Sequence, residues 1–155
     1  MLPQIKTILL AMLPINELRG TIPFAISVLG LQPFEAFIYA VIGNMLPIFF
    51  IVWLLPIIAV FLSKRSKIFN KFFNWLFERT RKKFYKNHQK YGDLGLVIFV
   101  AIPLPMTGAW SGAVAAFLFG MSYWKSMLLN FLGVIIAGII VTLLSSGIFS
   151  LIGVL

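Results

Sequence analysis

Glu17 and Arg19 are the only charges between Lys6 and Glu35, set in the stretch "PINELRGTIPF" of an otherwise apolar segment. A carboxyl group there can take up and release a proton, and a guanidinium can hold an anion through several N–H donors. Near a bilayer centre each charge costs roughly 2.5–3.5 kcal/mol on insertion scales, so both are expected to face a cavity or a partner. Two residues apart on a helix, they would point about 200° apart. In a non-helical turn between Pro14 and Pro23, both could turn toward one space. Gly20 would let backbone come close, and a half-helix starting around Thr21 would add free N–H groups to Arg19 as an anion-holding surface. On this reading Glu17 couples to protons, while Asn16, Arg19, Gly20, Thr21 and Pro23 belong to a substrate-binding surface. A competing reading partners Glu17 and Arg19 within the fold as a lock. The two are compatible, because a locking acid can still titrate.

A second interruption, "IPLPMTGAWSG", carries no charge. Pro103 and Pro105 stop a helix, Gly108 and Gly112 permit tight turns, and Thr107 and Ser111 offer hydroxyls. Trp110 either walls a binding site or packs. These seven residues complete the candidate substrate-binding set. Asn44 and Asn130 can hydrogen-bond toward the interruptions or between helices. Enzyme chemistry finds no support. The glycines around Ser111 have the wrong spacing for a nucleophile elbow, and the single histidine, His88, lies in a basic stretch. Four scattered acids and no cysteine give neither a metal cluster nor a thiolate site, and no cofactor is expected.

The elements that must position these residues follow from composition. Of 155 residues, 61% are hydrophobic and four are acidic, too little polar surface for a soluble domain of this size. Charge is segregated, with ten of the thirteen Lys and Arg between Lys64 and Lys90. This is a membrane protein's pattern. The segments Ala36–Leu62 and Ser126–Leu155 are uncharged and exceed the ~20 residues a spanning helix needs. Residues 2–13 and 23–32, and again 94–102 and 109–121, fall short of the ~17-residue minimum. Each pair predicts a re-entrant hairpin, a half-helix in and a half-helix out; a single kinked span through each region is the alternative. The N-terminal run does not read as a cleaved signal peptide.

"GLQPFEAFIYAVIG" (Gly30 to Gly43) and "GMSYWKSMLLNFLG" (Gly120 to Gly133) share a glycine, an aromatic, a charge and a second glycine, each after a broken hairpin and before a long span. An internal duplication is expected. A hairpin followed by one crossing inverts the next copy. The fold class is therefore an all-α integral membrane protein with an inverted repeat of re-entrant hairpin plus transmembrane helix. It forms one membrane domain: 1–62, a basic amphipathic linker helix at 63–92, and 93–155. Phe69, Phe72, Phe73, Leu76 and Phe84 fall near one face of that linker, opposite Lys67, Lys71, Asn74, Glu78 and Lys82, which suits a helix lying on the inner leaflet. The positive-inside rule puts the linker in the cytoplasm and both termini outside. Membrane lipids, not nucleic acid, are the partners expected of the linker.

The motifs "PINELRGTIPFAISVLG" and "PLPMTGAWSGAVAAFLFGM", in this order and separated by a basic linker, resemble the small multidrug export protein family of prokaryotes over nearly the whole chain. That family is similar in outline to the DedA membrane proteins, associated with lipid-linked phosphates such as undecaprenyl phosphate, proton dependence and drug tolerance. The resemblance implies a bacterial plasma-membrane transporter with facing hairpins. Glu17 and Arg19 match the acidic and basic positions of the first motif. Pro103, Pro105, Thr107, Gly108, Trp110, Ser111 and Gly112 match the second, where DedA proteins typically carry an arginine and this chain has none. The expected function is export or flipping of an amphipathic, lipid-like or drug-like substrate by a homodimer, proton-coupled through Glu17 with Arg19 on an anionic group. The alternatives are a four-span bundle pump with Glu17 in an unbroken first helix, and a non-transporting membrane scaffold.

Overall fold

The computed structural model describes residues 2–65, 71, 93–102 and 108–151. The linker helix expected within 63–92, with His88, and the second-motif residues Pro103, Pro105 and Thr107 thus lie wholly or mainly outside the described residues.

The described residues form six α-helices: α1 (Pro3–Ala11), α2 (Glu17–Ser27), α3 (Pro33–Arg65), α4 (Leu94–Ala101), α5 (Ala109–Leu118) and α6 (Tyr123–Leu151). At ~1.5 Å per residue, α1, α2, α4 and α5 are each only about 12–17 Å long, against a hydrocarbon core of ~30 Å. None crosses a bilayer alone. Stretches Pro33–Ala59 and Tyr123–Gly147 are long and apolar enough to do so. Only 28% and 39% of their most apolar windows are buried inside the molecule, so neither is the core helix of a soluble protein. Exposed Ile42, Leu46, Phe49, Phe50, Trp53 and Ile57 on α3 match exposed Leu128, Phe131, Leu132, Ile136 and Ile139 on α6. An apolar surface of that extent is stable against lipid and not against water.

Local chemistry explains the breaks. Pro3 opens α1 with a preset φ, and Pro14 cannot continue it past Met12. Gly30 and Gly120, at φ 68° and 65°, supply the left-handed turns that close α2 and α5. The two long helices begin slightly earlier than the apolar runs suggest, at Pro33 and Tyr123.

The two halves correspond at a constant spacing. The ends of α1 and α4 (Ala11, Ala101), the left-handed glycines (Gly30, Gly120) and the starts of the long helices (Pro33, Tyr123) are each 90 positions apart. Ala36 N–H donates to Gln32 and Ser126 N–H to Ser122, both at 2.9 Å, closing the same turn in each half. Within the first half α1 packs on α2 and α3, and α2 on α3; within the second α4 packs on α5 and α6, and α5 on α6. Between halves α2 packs on α6, α5 on α3, and α3 on α6. Exchanging the halves carries this set of contacts onto itself.

The helices meet through missing side chains. A Cβ on Gly43 of α3 would strike Ile8 and Ala11 at the end of α1. One on Gly133 of α6, again 90 positions on, would strike Val97 and Val100 at the end of α4. Phe37 sits against Gly138, and the Phe49 and Tyr123 rings lie 5.9 Å apart, so α3 and α6 run antiparallel. Ile22, Ile48, Val100, Val134, Ala11 and Ala113 are buried in one cluster drawn from both halves.

Candidate functional site

The two interruptions come together. Glu17, the first residue of α2, is 8% exposed, and its carboxylate reaches the first turn of α5. Trp110 N–H donates to Glu17 Oε1 at 3.4 Å, and the Ala109 N–H also faces the carboxylate. The first N–H groups of a helix have no intrahelical acceptor and carry the positive end of its dipole, so an acid there satisfies both. Gly108 makes the approach possible, because a Cβ on it would overlap both carboxylate oxygens.

Arg19 does the complementary work. Its Nη2 donates to the Ile102 carbonyl at 3.2 Å, just past the C-terminus of α4, where unsatisfied carbonyls carry the negative end of a dipole. The acid therefore holds the start of α5 and the base the end of α4. Together they bracket the second interruption, which has no charge of its own. The two charges are also close enough to act on each other electrostatically. Among the described residues no group of His, Cys, Asp and Glu could hold a metal ion.

Several expectations change. The segment from Glu17 is helical, not a turn, and α2 starts four residues before Thr21. Pro23 lies inside α2 and does not bound a turn; within a packed membrane helix its missing N–H is tolerated. The unbroken first helix of the four-span alternative does not form, since α1 ends at Ala11 and α2 begins at Glu17. Gly20 is exposed and admits no close backbone approach: a Cβ on it would meet only Asn16, from 3.5 Å, at ordinary contact distance. Gly43, Gly108, Gly112, Gly133 and Gly138 hold the tight contacts instead. The distinctive conformation is at Glu17 itself, whose φ of 40° is unusual for a residue with a side chain and costs on the order of 1–3 kcal/mol.

Of the other candidates, Asn16 precedes α2 without a side-chain cap bond. Thr21 is 1% exposed, with no partner for its hydroxyl among the described residues. Ser111 Oγ donates to the Gly108 carbonyl at 3.1 Å. Trp110 packs against the core with its indole N–H buried and without a partner among the described residues. Asn130 is 0% exposed; its Nδ2 donates to the Ser126 carbonyl at 2.9 Å, while its Oδ1 has no donor among the described residues and would be struck by a Cβ on Gly112. Asn44 is 1% exposed, and its Oδ1 has no partner among the described residues. A buried acceptor left unpaired costs about 1–3 kcal/mol, so these groups stand out. What sequence reasoning missed is the receiving side, the Ile102 carbonyl and the Ala109 and Trp110 N–H groups. Backbone atoms leave no residue-type signal, and the lack of charge in the second motif was the available hint.

Away from these charges, Val41, Met45, Phe49, Trp124, Met127 and Phe131 help line an apolar groove of about 580 Å³ between α3 and α6. Asp93 and Lys125 form an ion pair at 2.8 Å at the starts of α4 and α6, both sides well exposed. A pair so placed contributes little to stability.

No curated protein and no solved structure matches the chain. A family model does, over residues 17–140, which starts at the clamping acid, after the break between α1 and α2, and takes in the second interruption and most of both long helices. This all-helical membrane protein belongs to the family described as "Putative small multi-drug export protein".

Proposed function

We propose that the protein is a proton-coupled exporter or flippase of amphipathic, lipid-like or drug-like molecules. Its two hairpins are re-entrant, enter from opposite faces and touch near the bilayer midplane. The 90-residue correspondence and the antiparallel long helices support that inverted arrangement. So does depth: α1 and α4 end beside Gly43 and Gly133, each the eleventh residue of its span. Eleven residues rise about 16 Å, near half of a ~30 Å core.

The observation that carries the mechanism is Glu17 on the backbone of α5. An ionised carboxylate only accepts hydrogen bonds and grips the helix N-terminus; a protonated one loses charge and becomes a donor. Uptake of a proton thus releases α5 from α2, and loss of it restores the clamp. Arg19, beside the same break, offers a guanidinium to an anionic headgroup when the hairpins part. In this reading the chain works as a homodimer in the bacterial inner membrane, with a cytoplasmic linker on anionic lipid and both termini outside.

A second reading keeps Glu17 as a permanent lock, favoured by the same bonds. Flux separates them. Purified protein in liposomes is given an amphipathic fluorescent dye and a pH gradient, wild type beside Glu17→Gln. Gating by Glu17 predicts gradient-driven flux in wild type and its loss in the folded variant. Full flux in Glu17→Gln removes the proton gate, and no flux in either favours a scaffold.

A further inference from the structure

We propose that Asn130 is the acceptor that receives Glu17 when Glu17 carries a proton, giving the acid two built positions on α5. The inference rests on the reading of Glu17 as a proton-accepting group and adds the place where the protonated form goes.

Three observations meet here. First, Glu17 and Asn130 lie on the same glycine track. A Cβ on Gly108 would overlap the carboxylate, and one on Gly112 would strike Asn130 Oδ1 and, as closely, Val100 Cγ2. Gly112 N–H donates to the Gly108 carbonyl at 2.7 Å, so the two glycines are one helical turn apart. Cβ positions so spaced on a helix are about 5–6 Å apart. Second, the amide is oriented. The bond from Nδ2 to the Ser126 carbonyl fixes which end of Asn130 faces α5, and that end is the oxygen. Third, among the described residues this oxygen has no donor, although Asn130 is fully buried.

The ionised acid cannot serve it, because a carboxylate has no proton to donate. A protonated one can. An O–H···O bond needs about 2.5–3.0 Å, so the carboxyl group must move roughly 3 Å along α5, past Val100 Cγ2, which comes as close to a Cβ on Gly112 as Asn130 Oδ1 does. A Glu side chain makes such a shift by rotamer change without moving α2. Leaving the Ala109 and Trp110 N–H groups, the acid opens the clamp, and bonding to Asn130 satisfies both its proton and the idle oxygen. Among the described residues the charge acting on Glu17 is Arg19, on its own helix; none acts from α1, α3, α4, α5 or α6.

With four acids in the chain, infrared spectroscopy can test this directly. Difference spectra between high and low pH are recorded on protein in lipid nanodiscs, and the protonated-carboxyl band missing from Glu17→Gln is assigned to Glu17. The expected result is that Asn130→Ala shifts this band to higher frequency, as a carboxyl C=O does when its O–H loses an acceptor. Asn130→Ser, too short to reach, should shift it likewise and guards against a packing defect in the alanine variant. An unmoved band in both variants overturns the role of Asn130 while leaving the proton gate standing. Absence of any Glu17 band over the pH range of the folded protein overturns both.

Discussion

The clamp between the hairpins is an energetic claim, and a double-mutant cycle on Glu17 and Gly108 measures it. Glu17→Ala removes an acid whose carboxylate faces the N–H groups of Ala109 and Trp110, the latter bond being long at 3.4 Å. Hydrogen bonds to charged groups contribute about 1.5–3 kcal/mol, so with one weak member the cost is about 2 kcal/mol. Gly108→Ala places a methyl group where the carboxylate lies and drives it from the same donors, so it also costs about 2 kcal/mol. With Glu17 already absent, Gly108→Ala has little left to displace. Gly108 has φ 161°, an extended backbone that alanine adopts freely. In that background the cost falls to about 0.5 kcal/mol or less. The coupling energy is then about 1.5 kcal/mol, within the range for residues in direct contact. Reversible unfolding in mixed micelles, titrated with denaturing detergent, reads all four variants. Additive effects would refute the clamp, because each residue would then act through something else.

Further outcomes follow from the packing. Gly43→Ala and Gly133→Ala each force a methyl group into the end of a short helix and should destabilise by several kcal/mol, whereas Gly147→Ala, with open space around it, should change little; the same unfolding titration ranks them. Gly30→Ala and Gly120→Ala meet no neighbour but must hold φ near 65°, so each should cost about 1–2 kcal/mol, alike in the two halves. Arg19→Met keeps the apolar stem and loses the bond to Ile102, so it should cost about 1 kcal/mol and expose the end of α4 to faster hydrogen exchange.

How much of this was legible in the sequence depends on whether a feature is carried by side chains. The long apolar runs gave the two spans to within three residues at their starts, since nothing else in the chain can lie in hydrocarbon unbroken. Pro14 and the pair of short runs gave the break after α1. Gly30 and Gly120, which the expected duplication aligns, are the two glycines at positive φ among the described residues, where a residue with a side chain would be strained. The start of α2 was misread because two prolines and two charges suggest irregular chain. Tertiary partners changed that: with Glu17 held by α5 and Arg19 by the end of α4, the helix starts at the acid itself. That both charges serve the other half of the chain could not be read from spacing. It depends on which backbone atoms the second half brings to them. Gly20 misled for a similar reason, as a glycine shows that a close approach is possible and not that a neighbour exists.

The central claim is that two hairpins enter from opposite faces and meet inside the membrane. The chain has no cysteine, so single cysteines can be placed at Leu2, at His88 and at Leu151 without background. An impermeant thiol reagent is then applied to intact cells, with permeabilised cells as the measure of full labelling. The account predicts labelling from outside at residues 2 and 151 and protection at 88. Protection at all three positions would mean that each hairpin region crosses completely, and the meeting of Glu17 with α5 at the midplane would have to be abandoned.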